Sequence, residues 1–237
     1  MVTGLKHLPG GPDVHIGLIV GIGPAATDYY YRSLIGRMAA AHSDLELTMA
    51  HADTPTLLAN QAAEDTQGQV AIYDHLTRRL QAAGACCVAV TSIAGHFCIE
   101  AFERVSALPV INLLSVVNAG VHARGYHRVG LLGTRGVMES AFYGALSGVE
   151  ALAPVGESLD QVHEAYVTMA STARCTEEQR QIFVNAGRAL VEVQGVEAVL
   201  LAGTDLGLAF NGFSPGFAVF DCAEAHVEAI AEAAISL

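Results

Sequence analysis

Two stretches of this chain share one shape, and that shape limits what the chain can become. Residues 86–96 read CCVAVTSIAGH and residues 198–208 read AVLLAGTDLGL. Each begins as a short unbroken apolar run, then breaks into small, hydroxylated or acidic residues. A strand that is apolar on both faces has to be covered on both faces, which is the condition of a parallel sheet packed under helices. In an open sheet of that kind, ligands bind where the strands end and the chain turns away. The two stretches therefore predict one pocket built from two similar strand ends.

The rest of the chain fits the same alternation. His15 to Val20 reads as a first buried strand and runs into GIGPAATDYYYRSL. Gly21 and Gly23 permit a tight turn there, and Pro24 suits the first helical position. Free backbone N–H groups at such a turn would hold an anion without a basic side chain; a plain strand-to-helix turn is the alternative. A helix to about His42, a strand Leu45 to Ala50 and the segment HADTPTLL follow, with Asp53 placed as a helix N-cap. Ile72, Leu76, Leu80 and Ala83 recur at helical spacing, and Gly84 ends that helix. Beyond the strand at Cys86, the pattern predicts a short helix over Phe97 to Val105, a strand Val110 to Leu113 and a helix from about Val116 to Arg124.

From Arg128 the alternation restarts. RVGLLGTRGVMESAFY reads as strand, loop and helix, with Gly133 and Gly136 flanking Thr134 and Arg135. A strand at Ala151 to Val155 and a long, mostly polar helix come next. Thr176-Glu-Glu-Gln179 is a capping-box signature for another helix, whose buried face is expected to carry Ile182, Ala186, Ala189, Leu190 and Val193. A last strand at Ala218 to Phe220 precedes a helix from about Glu224. The expected fold is α/β: two similar Rossmann-like domains with parallel sheets and a cleft between them. The expected division is 1–115 plus 220–237 for one domain and 116–219 for the other. Residues 1–13, with Pro9, Gly10, Gly11 and Pro12, read as a flexible lead.

Composition narrows the function classes. Hydrophobic residues make up 52% and charged residues 15%, as suits buried parallel strands. The net charge of −12, with only 12 Lys and Arg, argues against nucleic acid or an anionic membrane as partner. The five cysteines, Cys86, Cys87, Cys98, Cys175 and Cys222, have neither disulfide-framework nor zinc-ligand spacing, so no metal site is expected. No apolar stretch is long enough to span a bilayer. The expectation is a cytoplasmic protein acting on a small molecule.

Several segments match one known family. IGLIVGIGPAATDYYYR, LLGTRGVMES over residues 131–140, TEEQR and VFDCAEAHVEAIAEA fall in register with their counterparts there. On these the chain resembles the aspartate/glutamate racemase superfamily, on its aspartate racemase branch. The resemblance implies two α/β domains related by a pseudo-twofold, a C-terminal helix returning to the first domain, and a homodimer. It implies racemisation or epimerisation at the α-carbon of an amino acid without pyridoxal phosphate or any other cofactor. Two thiols on opposite faces of the substrate do this, one removing the α-proton and the other returning one. They sit in the motifs Cys-Asn-Thr-x-His and Gly-Cys-Thr-Glu.

Here this chain departs from the pattern. The first motif stands as Ser92-Ile93-Ala94-Gly95-His96 and the second as Ala202-Gly203-Thr204-Asp205, so both thiol positions are substituted. Ile93 and Ala94 replace the Asn and Thr that help hold the substrate's α-carboxylate. Of two basic positions, one corresponds to the segment Asp53-Thr54-Pro55-Thr56 and the other to Ser171. Each lost charged hydrogen bond removes about 1.5–3 kcal/mol. The expected substrate is therefore a small carboxylate or amino acid less anionic than aspartate or glutamate. The expected function is an isomerase-family reaction with altered acid–base residues. A decarboxylase or lyase on the same fold, or an inactive relative that binds a small carboxylate, remains an alternative.

The candidate catalytic residues are Ser92, His96, Thr204 and Asp205. Ser92 is either a nucleophile activated by His96 or a helix cap, and no G-x-S-x-G elbow surrounds it. Asp205 is either an acid–base group or a support for its neighbours. Candidate substrate contacts are Ile22 and Gly23 in the first turn, with Asp53, Ile93, Ala94, Thr134 and Gly203. His226 is either pocket-facing or on a surface helix. Cys98 and Cys222 are expected to be structural.

Overall fold

The computed structural model describes residues 14–21 and 23–235 of the chain; the lead expected over 1–13 and the candidate contact Ile22 lie outside them. Their contacts cluster into two units. One holds β1, the segment Ala26–Val116 and the chain from His226 on; the other holds Gly23–Ala25 and Val117–Ala225.

The first unit is built on a parallel sheet of β1 (Ile16–Val20), β2 (Leu47–His51) and β3 (Cys87–Val90), in the order β2-β1-β3. Every residue of β1 and β3 is buried, whereas edge strand β2 is half exposed. The sequence pattern has the same cause, since a continuous apolar run marks a strand covered on both faces. Its helices are α1 (Pro24–Ala40, most of it in this unit), α2 (Thr54–Ala62), α3 (Thr66–Ala82), α4 (Ile99–Val105) and the start of α5 (Leu113–Ala123). A 3₁₀ turn, Ala94–Cys98, leads into α4. Asp53 caps α2 as expected, accepting from the Thr56 backbone N–H at 2.9 Å. Gly84 ends α3 with a φ of 100° that other residues seldom adopt.

The strand expected at Val110–Leu113 is reduced to a single bridge, Val88 to Val110. Asn112 is the reason. Its side-chain oxygen accepts from the Leu114 N–H at 2.9 Å, so the chain turns into α5 at once.

The second unit carries β4 (Arg128–Gly133), β5 (Glu150–Leu152), β6 (Ala198–Ala202) and β7 (Val219–Asp221), all parallel in the order β5-β4-β6-β7. The two apolar runs β4 and β6 again take the centre. Around them lie α6 (Arg135–Glu139), α7 (Glu157–Thr172), α8 (Glu177–Glu192), α9 (Gly207–Phe210) and the start of α10 (Cys222–Ile235). The capping box of α8 forms as the sequence indicates, with Thr176 and Gln179 each bonding the other's backbone N–H.

The inner face of α8 is rotated from the expected one. Phe183, Val184, Ala186, Gly187 and Leu190 are buried, while Ala189 is exposed and Val193 is 82% exposed. The aromatic ring of Phe183 is the largest side chain on this helix face, and burying it removes the most apolar area. Phe217 packs against Gly187, where any added Cβ would meet its ring.

Candidate functional site

In the first unit, the chain leaving β3 closes on itself. Ser92 is buried, and its Oγ accepts from the Gly95 N–H at 3.3 Å, which is a capping turn. The Ser92 hydroxyl does not pair with His96. Instead His96 Nδ1 lies 2.5 Å from the Ser92 carbonyl oxygen. That oxygen only accepts, so Nδ1 carries the proton and Nε2 is left as a bare lone pair. Nε2 is buried and has no hydrogen-bond partner. Burial lowers the His96 pKa to about 4, despite the help its cation would receive from Ser92, so the ring is neutral near pH 7.

Neighbouring helices pin this turn. Gln61 on α2 donates to the Ala94 carbonyl at 3.0 Å, and Tyr73 on α3 donates to the Gly95 carbonyl at 3.2 Å. Ile93 and Ala94 are buried here as well.

His226 is neither on the surface nor free. It is fully buried, with Nε2 2.8 Å from the Ile111 carbonyl and Nδ1 2.9 Å from the Tyr30 hydroxyl. The carbonyl fixes the proton on Nε2, so Tyr30 donates to Nδ1. Burial, then the nearby His96, lowers its pKa to about 3. The two imidazoles stand edge to face, 6.4 Å apart.

The first turn is less open to an anion than its glycines imply. The Gly21 N–H donates to Thr27 Oγ1 at 3.1 Å, and Thr54 Oγ1 donates to the Gly21 carbonyl at 2.6 Å. Asp53 is exposed and spends its carboxylate on Thr56, whose hydrogen bonds lower its pKa.

In the second unit, β4 and β6 run in register with Gly133 opposite Ala202, so Thr134 and Gly203 follow at adjacent strand ends. Helix α7 lies over both. His163 on α7 accepts the Arg135 N–H at Nδ1, 3.2 Å away. One turn on, Tyr166 donates its hydroxyl to Asp205 Oδ2 at 3.1 Å. Tyr166, Thr204 and Asp205 are all buried. Burial first, then the Asp205 charge, raises the Tyr166 pKa well above its ordinary value. Thr134 is 7% exposed, and its hydroxyl is buried without a partner.

Glycine at 203 has a steric reason. A Cβ there would lie 2.7 Å from Tyr166 Cζ and 3.0 Å from its hydroxyl oxygen, closer than side chains tolerate. At Gly23, φ is 122°, and a Cβ would come within 2.7 Å of Asp205 Oδ2. Both glycines make room for the Tyr166–Asp205 pair. Arg135, the cation nearest Thr134 in sequence, is partly exposed and turned to Asp160 at 2.6 Å and Glu139 at 3.4 Å.

Tyr166 and His163 were missed in the sequence. The available signal was the buried stripe Leu159, Val162, Ala165, Tyr166 and Met169 on α7, which places a phenol on an inward face. The cysteines read as structural are so placed: Cys98 and Cys222 are buried, and burial pushes the Cys98 thiol up to about 12 and the Cys222 thiol well above its usual range. Among the described residues no group of His, Cys, Asp and Glu is disposed to hold a metal ion, and no helix is long and apolar enough to cross a membrane.

The sequence profile of the Asp/Glu/hydantoin racemase family matches residues 19–230. Among solved structures, a candidate Asp/Glu racemase from Yersinia pestis is 26% identical, with a TM-score of 0.81 over 93% of this chain and 98% of that one. An aspartate racemase homologue from Pyrococcus horikoshii is also 26% identical, with a TM-score of 0.78 over 93% and 99%. The aspartate racemase of Picrophilus torridus, 20% identical with a TM-score of 0.70 over 93% and 94%, shares the fold.

Proposed function

The chain belongs to the Asp/Glu/hydantoin racemase family, and from that premise we propose that it is a cofactor-independent isomerase-type enzyme that does not use two thiols. Its substrate is a small carboxylate or amino acid less anionic than aspartate or glutamate. The observation that carries this reading is the space at position 203. The second thiol position of the family motif is a glycine, and the phenol of Tyr166 stands where its side chain would be.

The first position supports the same reading. Ser92 Oγ is engaged in a backbone turn, and a hydroxyl is a far weaker base than a thiolate. In this reading Ser92, His96, Thr204 and Asp205 are the groups that serve the substrate. Gly23, Asp53, Ile93, Ala94, Thr134 and Gly203 shape the surroundings. The protein is expected to assemble as a homodimer.

The test is exchange of the substrate's α-hydrogen in deuterium oxide, followed by proton NMR across L-alanine, L-methionine, L-aspartate and L-lactate. Exchange of a monocarboxylate with no exchange of aspartate is expected. Exchange of aspartate with inversion would overturn the reading in favour of ordinary two-base racemisation. Saturable binding with neither exchange nor product would leave a binding protein in place of an enzyme.

A further inference from the structure

We infer that the cavity between Asp221 and the segment 210–217 of the second unit binds a small organic ammonium ion. The charge rests on Asp221 and the apolar body lies among three phenylalanines. The site goes beyond the proposed function and does not rest on it, and none of the candidate site residues lines it.

The segment NGFSPGF, residues 211–217, builds one side. Gly212 and Gly216 take φ values of 74° and 86°, so the chain turns twice between α9 and β7. Phe213 and Phe217 thereby join Phe210 of α9 and Leu201 of β6 around a cavity of about 260 Å³. Phe210 is buried and Phe217 is seated against Gly187, so packing fixes two of the walls, while Phe213 is 41% exposed.

Asp221, the last residue of β7, lines the same cavity. Its Oδ1 accepts from the Ala223 and Glu224 N–H groups at 2.9 and 3.1 Å, which caps α10. Oδ2 accepts nothing from the described residues and keeps contact with solvent. No cation among the described residues answers this charge. Arg180 stands over the Phe213 ring at 5.6 Å, but it donates to the Ala209 carbonyl and to Glu177. Burial raises the Asp221 pKa, and the charged side chain acting on it is another acid, Glu224, which raises it further against the pull of the two N–H groups. A largely buried carboxylate without a counter-ion is stabilised by an incoming cation.

These walls select the ligand class. An ammonium group supplies donors for Oδ2, and the faces of the phenyl rings attract its charge as well as its apolar body. An anion would be repelled by Asp221 and Glu224, and a neutral body would gain only apolar burial. The volume is small for a ligand pocket, which suits one ring or one short branched chain.

The experiment is calorimetric titration of the full chain near neutral pH with benzylammonium chloride, benzyl alcohol and sodium benzoate. Benzylammonium should saturate with a dissociation constant of about 1 mM or tighter. Benzyl alcohol should bind about 10-fold more weakly, and benzoate not at all. Asp221→Asn keeps an oxygen to cap α10, so it should melt within a few degrees of the wild type. It should weaken benzylammonium by about 10-fold or more, the worth of a charged hydrogen bond, and leave benzyl alcohol unchanged. Phe213→Ala, on a partly exposed ring away from the cap, tests the walls independently and should weaken benzylammonium several-fold. Equal affinity for the ammonium and the alcohol, unchanged affinity in either variant, or no saturation by benzylammonium overturns the inference and leaves the proposed function standing.

Discussion

Each unit covers a strand end with a tyrosine, and the two tyrosines find different partners. Tyr73 reaches from α3 to the Gly95 carbonyl, and Tyr166 reaches from α7 to the Asp205 carboxylate. A carbonyl can only accept, so the first contact fastens a turn. A carboxylate carries charge as well as lone pairs, so the second contact is a charge-assisted hydrogen bond. The same separation appears in the imidazoles. His96 and His226 are buried in the first unit and kept neutral, and in the second unit burial keeps the Tyr166 phenol protonated. The two contacts differ because the helix above each strand end meets a different atom.

The largest test of this contrast is pH. His96 and His226 have folded pKa values of about 4 and about 3, below the roughly 6.5 of an unfolded histidine. Between those limits the unfolded chain binds protons that the folded chain refuses. Stability is therefore complete above pH 6.5 and is lost as pH falls toward 4. The slope reaches about 1.4 kcal/mol per pH unit for each histidine, on the order of 5 kcal/mol from pH 6.5 to 4.5. Urea denaturation at a series of pH values measures this, and hydrogen exchange should show the first unit loosening before the second. Uniform loss of protection across both units would break the contrast.

His226→Ala should cost about 3–5 kcal/mol, because it strands the buried Tyr30 hydroxyl and Ile111 carbonyl and opens a cavity. A midpoint shift in urea reports it. Gly203→Cys alone should cost about 1–3 kcal/mol through collision with Tyr166, seen as a lower melting temperature. Adding Tyr166→Ala should relieve that collision, so the double variant should lose less than its two single changes summed. Full tolerance of Cys at 203 would show that the ring does not hold that space. The smallest change is Tyr73→Phe, which removes the phenolic donor from the Gly95 carbonyl but leaves the weak Cys98 thiol, and should cost about 1 kcal/mol.

Much of the fold was legible because its signals are local. The apolar runs at Ile16–Val20, Cys87–Val90 and Ala198–Ala202 mark strands covered on both faces, and Thr176 with Gln179 marks the start of α8. The strand ends carrying Ser92 and Gly203 were legible for the same reason. The rotated face of α8 was not, since Phe183 wins its buried place through packing. Asn112 ended a strand that the residues around it favoured. The partners of His226, Tyr30 and Ile111, lie far away in the chain.

The sequence by itself determined that the chain is an α/β protein of the racemase family. That much depends on residue identity and spacing. Tertiary structure decided what surrounds each strand end. A glycine at 203 reads as a deletion until α7 brings a phenol from 37 residues earlier to the same point. Proton chemistry depends on which atoms lie within hydrogen-bond reach, and folding alone sets those distances.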